Sequence, residues 1–179
     1  MLLRAFFLRL RFQLTSMSVE ELHHRAFDTI LKGLSLEALV KDVDILVAQI
    51  VPSLLYPPVY NELVAAQKRG DTVVLMSSSP DFIVKKFAAY FKIDRWEATS
   101  YDVDKENRLC KIAKLVVGTQ KERCLLELQQ ELGIPKNEVI VYTDSDDDIP
   151  LLLQAGEAIA VNPNRKLKKA ALLHNWRII

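Results

Sequence analysis

Cysteine, glycine and long apolar runs are all scarce in this chain of 179 residues. The two cysteines, Cys110 and Cys124, lie in polar and charged sequence without metal-type spacing, so two free thiols in a reducing compartment are expected rather than a disulfide. The five glycines form no G-x-G-x-x-G, which removes the dinucleotide-binding fingerprint. Charge of either sign is not in excess: the formal net charge of +1 sets up no field to recruit nucleic acid or anionic lipid. The opening segment MLLRAFFLRLRFQLTS is apolar, but Arg4, Arg9 and Arg11 interrupt it. It lacks the roughly 7–15-residue apolar run of a signal peptide and is too short and too charged to span a bilayer. A helix packed on the rest of the protein is expected there rather than a membrane anchor, and the protein is expected to be cytoplasmic.

What is present suits one mid-sized domain, or a core with a small accessory domain. Half the residues are hydrophobic and 26% are charged, an ordinary globular balance. Residues 1–70 read as helical. Ser18 and Glu21 have capping-box spacing, and Gly33 suits the end of that first helix. Ser35 can cap a second helix that Pro52 stops, and Pro57-Pro58 open a third that Gly70 closes. After Gly70 the texture changes. Short β-rich runs, TVVLMS (72–77), EVIVYT and EAIAV, alternate with helical segments, and a hairpin-like excursion turns near Glu106-Asn107. This alternation predicts an α/β fold, a parallel sheet covered on both faces, over residues 71–179.

The chemistry is expected where strands end, because open α/β sheets bind ligands beyond the carboxyl ends of their strands. In VIVYTDSDDDIP (139–150) four apolar or aromatic residues run into four aspartates, whose mutual repulsion needs an offset. Asp144 follows the strand and Asp148 lies one helical turn on, a donor set for a hard cation. Ser77 ends the TVVLMS strand, ahead of further serines whose backbone N–H groups can face an anion. Lys121 stands in the first turn of a helix. Together these residues suit a phosphate beside a magnesium ion, with the cation and the lysine keeping the acids ionised. A response-regulator-like receiver gathers similar groups, but with its acids first and its lysine last, the reverse of the order here.

At these residues the sequence resembles the haloacid dehalogenase superfamily, in the branch similar to phosphoserine phosphatase. The likeness runs from about residue 18 to the end and is clearest in VVLMSSSPDFIV, GTQKERCLLEL and VIVYTDSDDDIPLLLQAGEAIAVNPNRKLKKAA. It implies a Rossmann-like three-layer core over 71–179 with an N-terminal helical cap over 1–70. It further implies phosphoryl oxygens bound by Ser77 and the Ser78 N–H, charge neutralised by Lys121, and Mg²⁺ held by Asp144 and Asp148. The implied activity is phosphomonoester hydrolysis through an aspartyl-phosphate. The partner is a small-molecule phosphomonoester, with no nucleic acid and no membrane; oligomeric state and leaving group are left open. Glu20, His23, His24 and Arg25 are the polar candidates in the cap, with a solvated helix face the competing reading. Thr143 stands where the family pattern has glycine.

The front of the pattern departs further. The family's first motif, Asp-x-Asp-x-Thr/Val, should end an N-terminal strand, yet no aspartate precedes Asp28. The pairs Asp42/Asp44 and Asp102/Asp104 fall in a cap helix and in the hairpin, and are expected to be decoys. The central first strand is therefore expected to be missing. The chain then reads as an N-terminally truncated phosphatase or as a non-catalytic phosphate- and metal-binding remnant. A lipid-phosphate phosphatase at a membrane surface is the third reading.

Overall fold

The computed structural model describes residues 18–179, apart from the side chain of Ala48. The helix expected at the extreme N-terminus lies outside those residues. In chain order come α1 (Val19–Ala26), a π-helical turn (Phe27–Leu31), α2 (Leu36–Leu54), α3 (Pro57–Arg69), β1 (Val74–Pro80), α4 (Asp81–Tyr90), β2 (Arg95–Val103) and β3 (Leu109–Lys114). There follow α5 (Thr119–Leu132), β4 (Ile140–Thr143), α6 (Ile149–Leu152), β5 (Glu157–Ala160), α7 (Arg165–Leu173) and β6 (Arg177–Ile178). The α/β alternation is as expected. The strands form two three-stranded sheets, β1-β2-β3 and β4-β5-β6. The chain divides into two compact units, one holding α1, α2, β1–β3 and α4, the other holding α3 and everything from α5 onward.

In the first unit Ser18 Oγ accepts the Glu21 N–H at 3.1 Å, as the capping signal predicts. Glu21 turns instead to Arg25, at 2.7 Å. Pro52 does not stop α2, which continues to Leu54 with the proline inside its last turn. Ser53 Oγ donates to Ile50 O, three residues back in the same turn, at 2.7 Å. Val43, Val47 and Val51, four residues apart, form the buried stripe of α2. β1 runs parallel to β2, and β2 turns back antiparallel into β3. β1 also runs on to Pro80 rather than ending at Ser77, because the register slips: Ser77 pairs with Ala98 and Pro80 with Thr99. Ser78 and Ser79 are thus extra residues bulged out of the ladder. Buried Thr99 is satisfied by accepting the Val116 N–H at 3.1 Å.

In the second unit β4, β5 and β6 are all parallel. Ala158, Ile159 and Ala160 of β5 are consecutive and all buried, as for a strand covered on both faces. Leu167 and Ala171, one turn apart on α7, pack with Leu152 and Trp176 against its alanines. Gly156 precedes β5, and a Cβ there would fall 2.6 Å from both Asn137 Cα and Lys136 O. Those are backbone atoms, so Gly156→Ala should cost about 1–3 kcal/mol of stability by overpacking, read as a lower urea midpoint at unchanged slope. Among the described residues β1 is bonded on one side only, to β2, and β4 on one side only, to β5.

Candidate functional site

Thr143 ends β4, and its carbonyl accepts the Val161 N–H at 2.8 Å, prolonging the ladder with β5. The chain then leaves the sheet through Asp144 and Ser145 and tightens into a three-ten turn, Asp146–Asp148, ahead of α6. Ser145 Oγ caps that turn by accepting the Asp147 N–H at 3.2 Å. Lys121 lies in the first turn of α5 and shares a buried face with Cys124, three residues on. Its Nζ donates to Asp148 Oδ2 at 2.8 Å. Thr143 Oγ1 donates to the same oxygen at 2.7 Å and accepts the Ser145 N–H at 3.2 Å. Asp148 is 4% exposed and Lys121 9%. One oxygen of a buried carboxylate is thereby fixed by an ammonium and a hydroxyl, and Asp148 has no other side-chain partner among the described residues. Asp144 is exposed and makes no hydrogen bond or ion pair among them.

The remaining acids of the run are held differently. Asp146 takes a hydrogen bond from Asn164 Nδ2 at 2.6 Å and an ion pair from Lys166 Nζ at 2.8 Å. Lys166, and after it Asn164, hold the Asp146 carboxyl below the ordinary aspartate range against the opposing effect of burial. Burial, reinforced by the charge of Asp146, pushes the Asp147 carboxyl up. Lys166 and Asn164 therefore share with Lys121 the offset that the sequence reading had given to Lys121 and a cation. The local signal was there: Asn164 directly precedes the helical run RKLKKAALL, and its Oδ1 caps α7 through the N–H groups of Lys166 and Leu167.

No group of three or more His, Cys, Asp or Glu side chains able to hold a metal occurs among the described residues. That falls short of a structural zinc cage. The donor set suits Mg²⁺, which takes one or two carboxylates and completes its shell with water and substrate phosphate. Asp144 is free to ligate, and Asp148 has one oxygen uncommitted.

Ser77 and Ser78 belong to the first unit, whereas Lys121, Asp144 and Asp148 belong to the second. Ser77 Oγ accepts the Ser79 N–H at 3.2 Å, bracing the bulge. Ser78 lines a cavity of about 240 Å³ together with His23, Phe27 and Tyr101. His23 is thus drawn out of the solvated face assigned to it. Its Nδ1 donates to Val19 O at 2.8 Å, which leaves Nε2 of the neutral ring as an acceptor. Burial, with a smaller push from the charge of Asp81, raises the Tyr101 phenol to about 12, so it stays protonated through the neutral range.

A model of the haloacid dehalogenase-like hydrolases matches residues 2–153. The chain belongs to that family. A protein of Mycobacterium tuberculosis named as a probable phosphatase is 31% identical over 144 residues, which are 78% of this chain and 50% of that one. Histidinol-phosphatase of Neisseria meningitidis is 29% identical over 122 residues, 63% of this chain and 53% of its own. This member of the haloacid dehalogenase-like hydrolases therefore spans about half the length of the curated relatives it matches. In fold it is similar to a probable phosphoserine phosphatase of Vibrio cholerae (TM-score 0.72, 15% identity, 96% of this chain and 50% of that one). A Bordetella pertussis protein of unknown function is similar too, with TM-score 0.85, 19% identity, and 98% and 80% of the two chains covered.

Three of the four aspartates in the Asp-x-Asp strings of this hydrolase-family chain have partners among the described residues. Asp44 pairs with Lys86 at 2.6 Å on α2, and Asp102 pairs with Lys111 at 3.5 Å across the hairpin. Asp104 Oδ1 accepts the N–H groups of Glu106 and Arg108 at 3.0 and 2.9 Å, shaping the β2–β3 turn. No helix among the described residues is long and apolar enough to cross a membrane.

Proposed function

We propose that this chain is the cap and substrate-binding part of a magnesium-dependent phosphomonoester hydrolase. The observation that carries the reading is the buried contact of Lys121 Nζ with Asp148 Oδ2, at 2.8 Å, in a chain of this family. The Ser77 hydroxyl and the Ser78 N–H donate to phosphoryl oxygens. The Lys121 ammonium places fixed positive charge where negative charge builds up on the transferring group. Asp144 and the free oxygen of Asp148 would hold Mg²⁺, and Thr143 keeps Asp148 aimed by locking its other oxygen. When bound, the ion neutralises phosphoryl oxygens as a Lewis acid. The reaction is attack on phosphorus by an aspartate, then hydrolysis of the aspartyl-phosphate by water.

The missing Asp-x-Asp pattern favours one second reading, a non-catalytic module that binds phosphate and metal. Both readings need the same metal site. Calorimetric titration of the 179-residue chain with Mg²⁺ should show binding, weakened in Asp144→Asn by at least about tenfold, the smallest loss that a removed carboxylate ligand should cause. Equal affinity in the two proteins defeats the assignment of Asp144.

A further inference from the structure

The cavity beside Ser78 has a chemistry of its own. Its walls come from the cap, where α1 and the π-helical turn supply His23, Phe27 and Leu31, and from the sheet, where the β1 bulge supplies Ser78 and Ser79 and β2 supplies Tyr101. No Asp, Glu, Lys or Arg is among the described residues lining it. Asp81, the nearest acid in the chain to Pro80, spends an oxygen on the Phe82 N–H at 2.8 Å and is not part of the wall. The Phe27 and Tyr101 rings are stacked, with centroids 5.4 Å apart and planes 16° from parallel. Phe27 is 5% exposed, so the ring open to a ligand is mainly that of Tyr101. The polar groups are the serine hydroxyls, the Tyr101 phenol and the His23 imidazole.

We infer that this cavity receives the leaving group of the phosphomonoester, and that the group it selects is a small, uncharged, ring-bearing or short apolar alcohol. The inference rests on the reading of Ser77 and Ser78 as the phosphate-binding loop. Three arguments carry it. A leaving group bearing carboxylate and ammonium, as in an amino-acid phosphate, finds no Asp, Glu, Lys or Arg among the described lining residues to offset its desolvation, which is costly. A ring packs against the partly exposed Tyr101 ring with the offset or edge-on geometry that aromatic groups prefer. The volume of about 240 Å³ lies below the roughly 300–1,000 Å³ of drug-sized ligand pockets, which suits a group of about one ring.

The test uses non-hydrolysable and simple probes on the 179-residue chain in Mg²⁺, by calorimetry. Benzylphosphonate should bind at least about tenfold more tightly than O-phosphoserine or inorganic phosphate, in the range that apolar groups contribute in a fitted pocket. Ala26 also lines the cavity, and Ala26→Phe, which fills it, should remove that advantage. If O-phosphoserine binds as tightly as benzylphosphonate, or if Ala26→Phe binds benzylphosphonate like the parent, the inference is overturned while the phosphate-loop reading stands. A chain that binds neither benzylphosphonate nor inorganic phosphate overturns both. The ranking among probes is read on the unaltered chain, so it holds as a test even if Ala26→Phe does not fold.

Discussion

Replacing Lys121 by methionine is expected to lower the unfolding free energy by about 3 kcal/mol, the low end of the cost of breaking a buried ion pair from one side. The penalty arises from what stays behind. Asp148 is 4% exposed, and without the ammonium its carboxylate keeps only the Thr143 hydroxyl as a side-chain partner. That remaining hydrogen bond is why the low end applies. The double variant Lys121→Met/Asp148→Asn should recover most of the loss, because the buried charge leaves with its partner. Urea unfolding of the four proteins without metal measures the cycle. A Lys121→Met chain as stable as the parent would show that the pair is solvated and would remove the argument for its fixed geometry. The exposed pairs offer a contrast. Arg25–Glu21, with both side chains 49% exposed, is worth no more than about 1 kcal/mol. Mg²⁺ should stabilise Lys121→Met by mass action, about 2.7 kcal/mol at a hundredfold excess over the dissociation constant.

The parts of the fold that were legible in the sequence are those fixed by local chemistry. α5 spans Thr119–Leu132 with Lys121 in its first turn as read, and α3 opens at Pro57 and ends on Gly70 at φ +80, a backbone angle that glycine takes without strain. The hairpin turn was legible because Asn107, at φ +57, tolerates the left-handed region. What escaped depends on partners distant in the chain. Nothing in LMSSSP says that the β1–β2 register slips by two residues, since that follows from how β2 sits beside it. Asn164 reads as a helix cap, but its bond to Asp146 spans eighteen positions and crosses β5. Thr143 was visible as a departure from glycine. Its purpose required the position of Asp148, five residues on in a turn whose shape the sequence does not specify.

In an upstream-extended chain that supplies an Asp-x-Asp-x-Thr strand, Lys121→Met should cut phosphomonoester hydrolysis by about 10²–10³-fold, the usual loss when one preorganised electrostatic group is removed from a transition state. The effect should fall on kcat more than on KM, because the charge that Lys121 meets grows only as the phosphoryl group transfers. Asp144→Asn in the same chain should lose activity and, unlike Lys121→Met, regain part of it at high Mg²⁺, since a weakened ligand set is refilled by mass action whereas a missing ammonium is not. These two patterns separate the readings. The 179-residue chain should bind Mg²⁺ and phosphate without turnover, because its first aspartate, Asp28, is exposed and paired with Lys32 at 3.2 Å, outside any Asp-x-Asp pattern. If the extended chain is also inactive while binding persists, the module is a binder and the Lys121–Asp148 pair serves recognition. If both Asp144→Asn and the parent hydrolyse substrate equally, the acids after β4 do not hold the catalytic metal.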